Sequence, residues 1–291
     1  MEIGKMGAWV NTNALDSNEL KKLVRGLERM SYGTLWYPES TAYDSLALGG
    51  FLLSNSERLA VASGIANIYA RDAFTAMAGH NTLNSLYNGR FIMGLGVSHD
   101  VLVTGRRGHA YGKPVKTMRR YLENMYSADL DIQASERQVV VAALGPKMLE
   151  LSKTLADGAL PYCGTPEHTR IAKSILGSNR ALCVEQKICL TGDPVTARTV
   201  ASENMARYLS LTNYRANWLR LGFSEGDLQG GGNHRFLDKM VLWGSEESIR
   251  QGLQAHFDAG ATHVAIQPLN PDGGPRPDWK ALEAFSPTSW T

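Results

Sequence analysis

Cysteine is scarce in this chain: Cys163, Cys183 and Cys189 are the three in 291 residues. Their odd number and the lack of CxxC spacing argue against a disulfide framework and a zinc knuckle, and leave reduced, mostly buried thiols as the expectation. Long apolar runs are missing as well. No stretch reaches the roughly 18 residues that a membrane span needs. The opening MEIGKMGAWV carries Glu2 and no continuous apolar segment, so neither an anchor nor a secretory signal is expected, and the chain is placed in the cytoplasm. Excess charge of one sign is absent too, since 30 Lys and Arg stand against 28 Asp and Glu for a net +2. Like-charged runs such as Lys21-Lys22 and Arg106-Arg107 stop at two residues, which argues against nucleic acid as a partner. No Pro/Ser-rich linker divides residues 1–291, so a single domain is expected. None of GxxxxGK[ST], GxSxG or HExxH occurs, and without clustered ligands no metal is expected.

What is present is alternation of short apolar runs with longer stretches of helical period. In the first unit IGKMGAWV reads as a strand and Asp16 with Glu19 as a capping box. Leu20, Leu23, Val24, Leu27 and Met30 then form an apolar helix face that Gly33 is expected to end. Thr34-Leu35-Trp36-Tyr37 begins the second strand. Further strands are expected at 59–66, 91–97, 138–144, 159–163, 184–190 and 263–267, which makes eight. Pro114 and Asp193-Pro194 open helices between them, and Ser245 and Gly260 bracket the last one. Eight strands joined by helical crossovers in a chain of this length predict an α/β fold, a (β/α)8 TIM barrel. A doubly wound open sheet is disfavoured, because Gly94-Leu95-Gly96-Val97-Ser98-His99 lacks the third glycine of a dinucleotide fingerprint. Segments 99–113 and 210–240, the second containing Gly230-Gly231-Gly232, exceed a minimal barrel and are expected as long loops.

A parallel barrel carries its active site at the C-terminal ends of its strands. The residues there are Asn11 and Thr12, Glu39 and Ser40, Asn67, Tyr69 and Arg71, then Ser98, His99 and Asp100, and finally Ala143-Leu144-Gly145-Pro146-Lys147. In that last run Gly145 permits a tight turn and Pro146 suits the first helical position, which leaves free backbone N–H groups at the rim as an anion site beside Lys147. Gly64, in Gly64-Ile65-Ala66-Asn67, allows an unusual backbone shape at the end of the third strand. His99 is the one histidine at a strand end, and an imidazole with an ordinary pKa near 6.5 suits proton transfer at neutral pH. Trp9, Tyr43, Tyr69 and Trp218 are candidates to line an apolar pocket or to fill the core.

Six segments in order carry a resemblance: YGTLWYPES (32–40), VASGIANIYARD (61–72), GRFIMGLGVSH (89–99), YGKPVKTMRRYL (111–122), VAALGPKMLELSKTLADGAL (141–160) and AGATHVAIQ (259–267). Together they resemble the bacterial luciferase-like superfamily of flavin and deazaflavin barrels, and its coenzyme F420-dependent oxidoreductases in particular. The resemblance implies a non-prolyl cis peptide bond at Gly64-Ile65, whose bulge, with Ala66 and Asn67, backs the cofactor ring. It places the cofactor phosphate on Ala143-Leu144-Gly145 near Lys147, and brings Glu39 and Ser40 toward the ring and the substrate. Sugar-phosphate dehydrogenases of the superfamily have an Asp-His pair where this chain has Glu39-Ser40, so their substrate and their histidine base do not carry over. Their glutamate acid matches His99, which is taken with Glu39 as catalytic.

The expected activity is hydride transfer between F420 and a small organic substrate of carbonyl, alcohol or enone type. The alternatives are an FMN-dependent monooxygenase and a non-catalytic flavin- or F420-binding protein. A homodimer is expected from the resemblance alone.

Overall fold

The computed structural model describes residues 3–290. Its strands are β1 (Met6–Trp9), β2 (Thr34–Tyr37), β3 (Ala60–Ser63), β4 (Ala66–Asn67), β5 (Phe91–Gly96), β6 (Val139–Ala142), β7 (Gly158–Leu160), β8 (Ala181–Cys189), β9 (Val241–Trp243) and β10 (His263–Pro268). Eight of them, β1, β2, β3, β5, β6, β7, β8 and β10, form a closed parallel barrel. β10 closes it by pairing with β1 (Met6 opposite Val264) and with β8 (Cys183 opposite His263). The expected TIM barrel is therefore present, with each of its eight strands near its expected place. β4 resumes the line of β3 against Leu95 and Gly96, and β9 extends the upper end of β8, with Val241 opposite Lys187.

Strand sequences such as VVVA and FIMGLG are apolar at successive positions because both of their faces are covered, as in any buried parallel sheet. Alternate residues go to different places. Leu35, Tyr37, Val61, Met93, Val139, Val141, Val184, Val264 and Ile266 join the core between strands and helices. Trp9, Trp36, Ala60, Ala62, Ile92, Val140, Leu160, Cys183 and Ala265, one or two from each barrel strand, form a separate cluster that fills the lumen. At the N-terminal end the His263 ring fills space that Gly7 leaves open, where a Cβ would lie 2.6 Å from His263 Nε2.

Local signals behave as their chemistry dictates. Asp16 caps the helix Ser17–Arg29 in a complete capping box with Glu19. Pro114, Pro146, Pro166 and Pro194 each occupy the first turn of a helix. The helix after β1 does not end on Gly33, however. Ser31 takes the left-handed conformation (φ 63°), and Gly33 is small because a Cβ there would strike the Ile3 carbonyl.

The expected loop at 210–240 is largely helical. Helices Pro194–Leu209, Thr212–Arg220 and His234–Met240 share a hydrophobic core of Met205, Leu209, Tyr214, Trp218, Phe223, Leu228, Phe236, Leu237 and Met240. Polar surface residues and three glycines hid this apolar set from a loop-length argument. The unit forms a cap that reaches the rim through Cys163, Leu144 and Tyr162. Segment 99–113 begins with the short helix Asp100–Val103 and is pinned by Tyr111 Oη–H to the Ser98 carbonyl (3.3 Å) and by Gly112 N–H to Tyr69 Oη (2.9 Å). All three cysteines are free thiols and buried. Among the described residues no helix is long and apolar enough to cross a membrane.

Candidate active site

The rim residues converge, although not all in the roles expected of them. After β1, the Asn13 amide donates to Ser40 Oγ at 2.7 Å, while Thr12 Oγ1 and Asn13 Oδ1 are buried without any protein partner. Buried polar atoms are nearly always paired, so orphans gathered at a strand end mark a place built for something else to bind.

The Gly64-Ile65 bond between β3 and β4 is cis. Trp9 Nε1–H donates to the Gly64 carbonyl at 3.2 Å, and a Cβ on Gly64 would lie 2.8 Å from that same nitrogen. Ser63 Oγ–H donates to the Gly94 carbonyl and Ser63 Oγ accepts from the Gly94 amide, both at 2.9 Å, which ties the chain to β5 just before the bulge. Ala66 and Asn67 then rejoin the sheet as β4, so the four bulge residues lie together on the rim.

Glu39 has a use other than the expected one. Its Oε2 accepts from the Asn67 amide (2.7 Å) and Arg71 Nη1 (3.0 Å), and its Oε1 accepts from the Ser45 amide (3.1 Å) and Arg71 Nη2. The side chains of Glu39 and Arg71 are only 4% and 6% exposed. A buried carboxylate with both oxygens committed is a strut that fixes the bulge to β2, and it has no free oxygen to offer a substrate. The spacing of Glu39 and Arg71 in sequence carries no sign of this ion pair.

His99 stands at the end of β5 as the N-terminal residue before Asp100–Val103, with its ring 5.9 Å from that of Tyr214 in the cap. Its nitrogens make no hydrogen bond among the described residues. Burial, aided by the nearby charge of Arg207, lowers its pKa to about 4. The ordinary value near 6.5 expected from sequence is therefore corrected: at pH 7 the imidazole is neutral and is a proton acceptor, because partial burial under the cap disfavours the cation.

The turn after β6 supports the anion site. Gly145 starts the helix Pro146–Leu155 with no side-chain cap, Ala143 is buried, and Leu144 leans on the cap core. His168 Nε2 is 2.9 Å from the Leu144 carbonyl. Arg220 from the cap lies near the turn: a Cβ on Gly145 would be 3.7 Å from Arg220 Nη2, which itself donates to Asn217 Oδ1 at 3.1 Å. Asn217 Nδ2 is buried and unpartnered. Lys147 is exposed on the first turn of the helix. A bare helix N-terminus, two cations and an orphan amide suit a bound phosphate.

Of the aromatic candidates, Trp9 and Trp218 are buried, Trp218 donating Nε1–H to the Cys163 carbonyl at 3.1 Å. Tyr69 stacks against Tyr111, and Tyr43 is at the surface with its hydroxyl on the Leu15 carbonyl. Sequence reasoning overlooked Glu185 and Lys187 inside β8. Both are almost completely buried, and the Nζ to Oε1 distance is 3.0 Å. The visible signal was two opposite charges at alternate positions of an apolar strand, which must face the same way. The parity of Cys183 puts both in the lumen.

Residues 3–263 match the family model described as luciferase-like monooxygenase. A Mycobacterium tuberculosis protein named as a coenzyme F420-dependent oxidoreductase is 22% identical over 279 residues, covering 77% of this chain and 79% of that one. The 5,10-methylenetetrahydromethanopterin reductase of Archaeoglobus fulgidus is 24% identical over 185 residues, and the match takes in 56% of this chain and about half (54%) of the reductase. Among solved structures, an F420-dependent secondary alcohol dehydrogenase in complex with an F420-acetone adduct superposes with a TM-score of 0.75 at 11% identity, over 98% of both chains, and so shares the fold.

Proposed function

Because the chain belongs to the luciferase-like monooxygenase family, we propose that it is an F420-dependent oxidoreductase acting on a small organic alcohol or on the carbonyl or enone that corresponds to it. The observation that carries this reading is the gathering, on one rim, of an uncapped helix start at Gly145 with Arg220 and Asn217 beside it, the Gly64–Asn67 bulge, and an unpaired neutral His99. The relatives named for F420 supply the choice of cofactor.

The residues present fit such a group. Gly145 N–H, Lys147, Arg220 and Asn217 would hold its phosphate. Gly64, Ile65, Ala66 and Asn67 would back its ring, and Ser40, held by Asn13, would stand at the ring's edge. When bound, F420 supplies or accepts a hydride. His99, neutral at pH 7, takes the proton from a substrate hydroxyl in the oxidation of an alcohol and returns it in the reverse reduction. Glu39 positions the bulge through Asn67 and Arg71 and enters the proposal in that role.

Fluorescence titration with F420 and with FMN, followed by anaerobic turnover with secondary alcohols, tests the reading. Tight F420 binding with alcohol-dependent loss of its absorbance supports it. Tight FMN binding with oxygen-dependent turnover replaces it with a monooxygenase, and tight binding without turnover in either case makes the chain a carrier. By the same resemblance residues 1–291 act as one unit and pair as a homodimer, which light scattering measures.

A further inference from the structure

The lumen holds one buried charged cluster that the proposed reaction leaves unused. Lys187 Nζ donates to Glu185 Oε1 at 3.0 Å and to Cys163 Sγ at 3.1 Å, and lies 3.8 Å from the centre of the Tyr162 ring. Three ammonium protons thus meet three acceptors, and no donor is left for a ligand. Glu185 Oε2 accepts from the Cys163 amide at 3.2 Å, which holds the left-handed turn at Cys163. A buried ion pair is no more stabilising than apolar side chains of the same volume, so stability alone does not require this one. Its distinctive effect is on the two tyrosines above it: Nζ also lies 5.5 Å from the centre of the Tyr208 ring, and its charge opposes the effect of burial on the Tyr208 hydroxyl.

Tyr162 is partly exposed at the mouth. Its hydroxyl donates to Gln267 Oε1 at 2.8 Å, which uses its one proton, and lies 3.1 Å from the hydroxyl of Tyr208, which comes from the cap, is also partly exposed and keeps a proton that can turn to a ligand. Tyr214 joins this pair to His99: its ring is 5.2 Å from Tyr208, 6.4 Å from Tyr162 and 5.9 Å from His99. On the other side Trp9 stacks on Tyr162 at 5.2 Å while holding the Gly64 carbonyl. The hydroxyl pair therefore lies between the proton acceptor and the bulge.

We propose that the Tyr208 hydroxyl, oriented by Tyr162, donates to the substrate's oxygen, with Lys187 and Glu185 as positioning residues beneath the pair. The substrate class is a small molecule with one carbonyl or hydroxyl oxygen on an apolar body, since aromatic rings make up the surrounding wall. This deepens the reading of an alcohol or carbonyl oxidoreductase and rests on it.

The test uses 4'-fluoroacetophenone and its oxygen-free analogue 4-fluoroethylbenzene, titrated by 19F NMR into the full chain without cofactor. The wild type is expected to bind the ketone at least about threefold more tightly, the value of one modest hydrogen bond. Tyr208→Phe should lower ketone affinity about three- to tenfold and leave the hydrocarbon unchanged, while Tyr162→Phe, which removes only the orienting hydroxyl, should lower it about twofold or less. The double variant Glu185→Gln/Lys187→Met removes both charges together. It should keep the wild-type melting temperature and hydrocarbon affinity while the ketone preference shrinks and the carbonyl 13C shift of the bound, labelled ketone moves upfield. A purely structural pair would leave that shift in place. No ketone preference in the wild type, or equal losses for both probes, overturns the subsite. F420 titration of the same samples separates the two ideas: failure to bind F420 sinks the cofactor reading, whereas intact F420 binding with an unaltered ketone preference in Tyr208→Phe sinks the subsite alone.

Discussion

The two ends of the barrel lumen treat buried polar groups in opposite ways. At the N-terminal end His263 is fully buried and fully paired: Trp36 Nε1–H donates to its Nε2 at 2.9 Å, and its Nδ1 lies 2.8 Å from the Gly4 carbonyl. One tautomer satisfies both bonds. At the C-terminal end Thr12, Asn13, Asn217 and His168 each keep a buried atom without a partner, and the half-buried His99 makes no side-chain hydrogen bond among the described residues. An end that satisfies every polar group adds to stability, while one that leaves several unsatisfied gives some up and keeps them for a ligand. The difference sets the C-terminal end apart, without reference to any relative, as the one that leaves buried polar groups unsatisfied.

Substitutions at the two ends should therefore fail in different assays. His99→Ala carries the largest expected effect. Turnover should fall about 10²- to 10⁴-fold, with the urea midpoint and F420 affinity nearly unchanged. A wild-type rate in this variant would remove His99 from the mechanism and blur the contrast between the ends. Arg71→Met comes next and has a mixed signature. It leaves the Glu39 carboxylate buried without its guanidinium, at a cost of about 3–5 kcal/mol in unfolding free energy, and loosens Asn67 and the bulge. Glu39→Gln/Arg71→Met should recover much of the stability and less of the activity. Recovery of both would show that Glu39 serves the fold alone.

How much of this was legible from sequence follows the same division. Strand and helix positions were readable because apolar period and caps such as Asp16-Glu19 and Pro114 act locally. The rim was readable as a set of positions, since fold class alone places Gly64, His99 and Gly145 at strand ends. What each residue does there depends on partners far away in the chain. Glu39 reads as an available acid until Arg71, 32 residues on, is seen against it. The pKa of His99 depends on burial beneath a cap that sequence reasoning took for a loop. Tyr162 and Tyr208, 46 residues apart, share a hydrogen bond that no spacing rule encodes.

Acid lability should separate the contribution of the paired end from that of His99, whose pKa burial also lowers to about 4. Burial lowers the pKa values of His263 and His256 to about 4, against about 6.5 for an exposed imidazole. Between these values the unfolded chain binds more protons, so stability rises with pH across that window and is lost as pH falls from about 6.5 toward 4. Each group contributes on the order of 3 kcal/mol over the full window. Urea midpoints taken from pH 7 down to 4.5 should fall steeply for the wild type and less steeply for His263→Gln, which cannot take up the proton. Parallel slopes would mean that the N-terminal end is not where the acid sensitivity lies.

Lys147→Ala is the smallest effect and probes the unsatisfied end. Lys147 is exposed, so its attraction for an anion is screened and is worth only about 0.3–1 kcal/mol, or roughly a two- to fivefold loss of F420 affinity at low salt. The loss should vanish in 0.5 M salt and be absent for an analogue that stops short of the phosphate. The backbone N–H groups at Gly145 do not depend on this side chain and are far less screened, so most of the affinity should survive. A loss of a hundredfold or more would mean that the cation, and not the helix start, holds the anion, and the orphan atoms around Asn217 would then need another ligand to explain them.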